Sequence, residues 1–283
     1  MCYSPASMPF DTAARILSHD ALNSDHFLLT LDAPRMARAS RPGQFVMLQA
    51  QPGRDPLLRR PMSVCGVAGS PPRRLQILYK VTGHGTRLLS RQPRGATLAM
   101  LGPLGNGFRL PARASRAAAR RPDATRPRQI LVAGGVGIAI FPFVAEALQR
   151  LGHRPLLLFG ARSARDLVGL PLFGRGRVDV KFATEDGSRG TRGYVTSLLE
   201  PLLAAPGPRP SLYVCGPTPM LRAVGDQAQK AGVPCQLALE SQMPCGIGVC
   251  LGCVVAASDP NAVPPYPRVC TEGPVFEAGS VRP

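Results

Sequence analysis

The chain has 283 residues, room for two average domains and a sizeable core without cross-links. Glycine and proline, 30 and 31 residues, stay below the share at which low-complexity disorder is the default, and a hydrophobic content of 45% excludes a disordered chain. The formal charge of +17 raises nucleic acid, an anionic membrane or an acidic partner. Lysine, however, occurs only at Lys80, Lys181 and Lys230, and arginine gathers in turns, beside prolines and within Arg109–Arg128. A compositional bias toward arginine, alanine and proline produces the same pattern, so charge alone assigns no function.

Met1–Ser18 lacks the basic stretch and continuous apolar run of a secretory signal, which makes the cytoplasm the expected location. From Ala14 to about Leu110, short apolar runs (Phe27–Leu31, Gln44–Leu48, Leu75–Val81, Thr97–Leu101) alternate with Pro and Gly and predict antiparallel strands of a small barrel or sandwich. Arg109–Arg128 holds almost no side chain large enough for a core and reads as a boundary loop of disorder-prone composition. Beyond it, QILVAGG predicts a strand and VGIAIFPFVAEALQRLG a helix stopped at Gly152. RPLLLFGAR, VDVKFATEDG and SLYVCGP predict further strands, and GYVTSLLEPLL and Pro219–Lys230 predict helices. Alternation of this kind implies a parallel sheet that binds ligands at the carboxyl ends of its strands. Ile130–Ala145 is apolar but too short to span a bilayer and is interrupted by Gly134, Gly135, Gly137 and Pro142, so no membrane helix is expected. From Val233 onward the chain is rich in Cys and loops, and needs a staple.

The strongest motif lies there. Cys245, Cys250, Cys253 and Cys270 follow a C-x4-C-x2-C…C pattern, the plant-type spacing for a 2Fe-2S cluster held by four thiolates. Gly246, Gly248 and Gly252 suit a loop that takes unusual dihedrals and turns N–H groups toward sulfur. Structural zinc is the competing use, but Cys270 has no second short cysteine knuckle beside it. In RRPMSV, Arg60 would pair with a pyrophosphate and Ser63 would hydrogen-bond the edge of a flavin ring. In LYKVTGHGT, Gly85 and Thr86 would donate to phosphate oxygens. GPLGNGF (Gly102–Phe108) completes this group. AGGVG, with Gly134, Gly135 and Gly137, offers backbone amides to a dinucleotide, although Ile140 stands where a third fingerprint glycine would fall. Cys215, Gly216 and Pro217 end the fourth strand of the same layer, where the cysteine is equally well read as core filling. Cys2, Cys65 and Cys235 read as ordinary thiols, and the scattered His19, His26, His84 and His153 as surface or turn residues. No Ser/His/Asp set or HExxH is present, which disfavours hydrolysis.

The order of these motifs, above all RRPMSV, GPLGNGF and ALESQMPCGIGVCLGCVV…RVCTEGPVF, closely resembles the electron-transfer subunit of type B dihydroorotate dehydrogenase, a branch of the ferredoxin reductase superfamily. The resemblance covers nearly the whole chain. It implies three units: an antiparallel flavin-binding β-barrel (1–110), a parallel-sheet nucleotide-binding domain (128–232) after a basic linker (111–127), and a small cluster domain (233–283). It also implies FAD, a 2Fe-2S cluster and NAD as co-substrate. The implied partner is an FMN-containing catalytic subunit in a heterotetramer with two copies of each, with neither nucleic acid nor membrane. Flavin contacts would be Arg60, Pro61, Met62 and Ser63, then Leu78, Tyr79 and Lys80, then Gly85 and Thr86; the metal ligands would be the four cysteines. Ile140, where many relatives carry proline, and the long Arg109–Arg128 segment depart from the pattern. The neighbouring reading is a flavin and iron–sulfur subunit of an NADH-dependent ferredoxin:NADP reductase or sulfide dehydrogenase complex, and a remote one is a zinc-containing nucleic-acid-binding protein. After the second strand of the α/β unit, Arg162, Ser163 and Arg165 would suit the 2′-phosphate of NADP, and Asp166 the ribose hydroxyl of NAD.

Overall fold

The computed structural model describes residues 9–113, 127–174 and 178–283. Cys2 and most of the basic segment lie outside them. Strands β1 (Phe10–Ala21), β2 (His26–Asp32), β3 (Phe45–Leu48), β4 (Arg60–Ser63), β5 (Gly66–Ala68), β6 (Arg74–Lys80) and β7 (Thr97–Leu104) form one antiparallel sheet in the order β4-β3-β7-β1-β2-β6-β5. Two short helices, α1 (Pro34–Ala39) and α2 (His84–Ser90), accompany it. Ile16, Leu29, Leu31, Val46, Leu48, Leu75, Ile77 and Met100 fill its core, as the predicted barrel requires. β1 escaped the sequence reading because only Ala14 and Ile16 of its residues are fully buried, so it carries no continuous apolar run. It nevertheless pairs on both edges, with β2 and with β7.

The second sheet is built from β8 (Gln129–Gly134), β9 (Leu156–Ala161), β10 (Asp179–Thr184), β11 (Thr191–Arg192), β12 (Ser211–Cys215) and β13 (Cys235–Ala238), all parallel. Helices α3 (Phe141–Arg150), α4 (Val195–Ala204) and α5 (Thr218–Ala231) connect them. After β14 (Ala256–Ala257), strand β15 (Val275–Glu277) joins the edge antiparallel to β13, and β16 (Val281–Arg282) pairs with β14. The resulting order is β11-β10-β9-β8-β12-β13-β15, a parallel α/β sheet as expected.

Two local differences have physical causes. The helix predicted from Val136 begins at Phe141, after a 3₁₀ turn over Gly135–Ile140. Pro142 lacks an N–H and its ring crowds the carbonyl four residues back, so it belongs in a first helical turn. The sheet also runs on past Gly232: the Cys-rich stretch supplies both β13 and β15. Four- and three-residue strands are too short for periodicity to reveal.

The barrel, sheet and Cys-rich loop share cores. Phe108, from GPLGNGF, stacks on Phe141 at 6.3 Å and meets Tyr213 edge-on at 5.5 Å. Phe45, Met47 and Leu104 of the barrel lie in one apolar cluster with Leu237, Met243, Cys253, Val269 and Cys270. Among the described residues, no helix is long and apolar enough to cross a membrane.

Candidate functional site

The residues expected to contact flavin fall on β4, β6 and the start of α2. Arg60 lies over the first turn of α2: a Cβ at Gly85 would stand 2.3 Å from its Nε. Glycine at 85 therefore makes room for the guanidinium, whose Nη1 donates to the Leu58 carbonyl at 2.8 Å. Met62 is buried in the barrel core. Alternation along the strand turns Pro61 and Ser63 to the other face. Leu78 packs toward the α/β domain, in one cluster with Phe108 and Phe141.

Tyr79 points the opposite way. Its hydroxyl is 2.8 Å from His19 Nε2, while His19 Nδ1 is 3.0 Å from the Gln92 carbonyl. A carbonyl only accepts, so Nδ1 carries the proton and Nε2 accepts from tyrosine. Tyr79 thus has only its backbone to offer on the Leu78 side. Thr86 is likewise engaged locally: its hydroxyl accepts from the Thr82 and Gly83 N–H groups at 3.0 and 3.2 Å and donates to the Gly83 carbonyl.

Lys80 Nζ sits 3.3 Å from Asp25 and 3.8 Å from Asp166. Arg165 Nη2 bonds Ser24 and Asp25 at 2.6 and 3.3 Å. Of the four residues expected to bear on NADP against NAD, Arg162, Ser163, Arg165 and Asp166, two, Arg165 and Asp166, are therefore turned to the barrel and tie it to the α/β sheet.

At the carboxyl edge of the parallel sheet, glycines permit close backbone approach. A Cβ at Gly137 would stand 2.4 Å from the Cys215 carbonyl oxygen, and one at Gly216 would stand 3.0 Å from Gly134 N. Gly134 meets Met220 and Pro217 in the same way. Gly135 differs, since its φ is +52° and open space lies where a Cβ would be. Cys215 is buried, and burial followed by the charge of Glu240 pushes its thiol well up. Glu240 follows β13 at this edge, solvent-accessible yet deeply set, and burial raises its carboxyl above the ordinary range. Sequence reading missed it, although it stands inside the ALESQMPC stretch. Cys65 and Cys235, read as ordinary thiols, are buried, and burial pushes each up to about 12.

Three of the four remaining cysteines lie on one loop, Cys245–Cys253, and the fourth, Cys270, follows β14. Burial pushes the Cys245 thiol up, but the N–H groups of Cys250, Ile247 and Val249 and the Cys250 thiol outweigh it and bring it down to about 6. Cys250 Sγ accepts from the Gly252 N–H at 3.4 Å. Cys270 is pushed up to about 12, by burial and then by its hydrogen bond with Cys253, against an N–H from Gly248. The thiols thus associate as Cys245 with Cys250 and Cys253 with Cys270. Among the described residues no three Cys, His, Asp or Glu side chains converge on one ion. Two pairs with N–H groups aimed at sulfur fit a cluster of two irons better than a mononuclear zinc.

The loop leans on the barrel. A Cβ at Gly246, whose φ is +73°, would stand 2.5 Å from Met47 Cγ. Met47 is the cross-strand partner of Pro61, so the first thiol is next door to the RRPMSV strand.

Residues 240–282 match the iron-sulfur cluster binding domain of dihydroorotate dehydrogenase B. The chain is 35% identical over 268 residues to the electron transfer subunit of dihydroorotate dehydrogenase B (NAD(+)) from Desulforamulus reducens, covering 95% of this chain and 97% of that one. It is 37% identical to the same subunit from Bacillus caldolyticus, over 89% and 91% of the two chains. Among solved structures, an NADH-dependent reduced ferredoxin-NADP oxidoreductase superposes with a TM-score of 0.79 at 26% identity, covering 95% of this chain and 89% of that one. The ferredoxin reductase of carbazole 1,9a-dioxygenase superposes with a TM-score of 0.64 at 23% identity over 81% and 68%, which speaks for the fold alone. With relatives 35% and 37% identical over 95% and 89% of its length, the chain belongs to the family of electron-transfer subunits of dihydroorotate dehydrogenase B.

Proposed function

We propose that this chain is an oxidoreductase subunit that carries electrons between a catalytic dihydroorotate dehydrogenase subunit and NAD+, with FAD on the barrel and a 2Fe-2S cluster on the cysteine loop. When bound, FAD exchanges a hydride with nicotinamide and single electrons with the cluster, which passes one at a time. The observation that carries the reading is the contact of Gly246 with Met47 opposite Pro61: strands in a sheet lie about 5 Å apart, so the motif that would hold flavin and the loop that would hold iron are neighbours.

Arg60 would take the pyrophosphate, with Pro61, Ser63 and the backbone of Met62, Leu78, Tyr79 and Lys80 around the ring, and the Gly85 and Thr86 amides beside the phosphates. Gly135, and the edge formed by Gly134, Gly137 and Cys215–Pro217, would receive the nicotinamide nucleotide. Cys245, Cys250, Cys253 and Cys270 would ligate the irons.

Around the thiols, Ile247, Val249, Leu251 and Val254 are exposed, Val249 by 76%. Contiguous exposed apolar side chains mark a docking face, here for the FMN-containing catalytic subunit in an assembly of two copies of each, working in the cytoplasm. The direct test is co-purification with that subunit and assay of dihydroorotate-driven NAD+ reduction. The complex should turn over, and this chain alone should reduce dyes with NADH but leave dihydroorotate untouched. Formation of a stable complex with a ferredoxin:NADP reductase partner and none with the dehydrogenase subunit would overturn the reading in favour of its neighbour, which the 0.79 superposition keeps in view.

A further inference from the structure

The RVCTEGPVF motif contains a ligand, Cys270, but also two charged residues to which no role has yet been given. Arg268 and Glu272 form a fork: Arg268 Nη2 donates to Glu272 Oε1 at 2.6 Å, and its Nε and backbone N–H donate to Oε2 at 3.0 and 2.6 Å. The remaining arm, Nη1, reaches across to the Gly248 carbonyl at 2.9 Å. Gly248 lies in the loop between Cys245 and Cys250, with φ +81°, and its own N–H is aimed at the Cys270 sulfur. A Cβ there would stand 2.8 Å from Thr271 Cγ2 and 3.0 Å from Arg268 Nη1. The far end of the fork is tied to the barrel. Asn106, from GPLGNGF, donates through Nδ2 to the Thr271 and Glu272 carbonyls at 3.0 Å each, and its backbone N–H donates to Gly273. Two motifs far apart in sequence thus meet in one strut running from the barrel, through Glu272 and Arg268, to the apex of the thiol loop.

We infer that Arg268 is a positioning residue for the cluster, holding the Gly248 apex against the Cys270 segment while keeping a fixed positive charge beside Cys253 and Cys270. A planar fork reaches a carboxylate and a carbonyl at once, which the ammonium of lysine does not. Partners of this kind typically govern metal affinity by about 10–100-fold. The inference rests on the cluster reading above.

The test uses anaerobically purified full-length protein, wild type, Arg268→Gln and Arg268→Lys. Iron and labile sulfide are assayed, then iron release to a chelator, the electron paramagnetic resonance spectrum of the reduced protein and the cluster's reduction potential. Arg268→Gln should release iron about 10–100-fold faster, and its potential should move to more negative values because a positive charge is lost. Arg268→Lys should keep the potential near that of wild type while still releasing iron faster and altering the spectrum. Bound flavin and its reduction by NADH should be unchanged in both, separating loss of positioning from loss of fold. If Arg268→Gln does not accumulate, Arg268→Lys decides: wild-type iron release and spectrum overturn the inference. Wild-type protein free of iron and sulfide overturns the cluster reading itself, and the strut with it.

Discussion

Two glycine-rich stretches, AGGVG at the edge of the sheet and CGIGVCLGC in the thiol loop, look alike in sequence and use glycine differently. In the first, Gly134 and Gly137 are small because the backbone of β12 and the side chains after it press on them, and Gly135 alone faces open space with φ +52°. In the second, Gly246 and Gly248 combine positive φ with a packed neighbour, Met47 for one and Thr271 with Arg268 for the other. A glycine count therefore says that backbone must come close or turn left-handed, and only the neighbours say for which purpose.

The comparison can be broken or sharpened by substitution. Cys250→Ser should have the largest effect, removing most cluster absorbance and iron while leaving bound flavin reducible by NADH; undiminished iron content would remove Cys250 from the ligand set. Gly137→Ala comes next. Its Cβ would meet only backbone, the Cys215 carbonyl and Gly216 N within 2.8 Å, and overpacking of this kind costs about 1–3 kcal/mol, so denaturant melts should shift by that amount and NADH oxidation should fall. At Gly135 the same change meets nothing and costs only the left-handed conformation, about 1 kcal/mol. Equal losses at 135 and 137 would show that the close approach of the backbone does not set the tolerance of this edge.

The smallest effect is expected at Glu240. Its carboxyl is raised by burial, so its contribution to stability is present below its unfolded value and is lost as pH rises through the folded one. Glu240→Gln should melt higher than wild type at pH 8, with the gap narrowing toward pH 5. A gap that widens on acidification would reverse the assigned cause.

Much of this was legible before any coordinates. Four cysteines at a recognisable spacing and an alternation of strands and helices are local patterns; the strands form a parallel sheet, and the thiols draw together as two pairs, Cys245 with Cys250 and Cys253 with Cys270. What sequence did not reveal was relational. β1 is a half-polar strand whose identity depends on pairing at both edges. Arg165 and Asp166 look like nucleotide selectors until Asp25 and Lys80 arrive from the barrel. Tyr79 reads as a whole side chain available to a ligand until His19 claims its hydroxyl and leaves the backbone alone on the Leu78 side. Arg268, Glu272 and Asn106 sat in quoted motifs without a role, because the Gly248 carbonyl that Arg268 holds is 20 residues away in sequence.

The central claim is that barrel and thiol loop hold one continuous electron route. It is tested most directly by adding NADH to the anaerobic holoprotein while recording visible and electron paramagnetic resonance spectra, alongside Cys250→Ser. Flavin bleaching accompanied by the resonance of a reduced 2Fe-2S cluster in wild type, and bleaching alone in the variant, is the predicted result. Flavin that bleaches in wild type while a fully loaded cluster stays oxidised would contradict it.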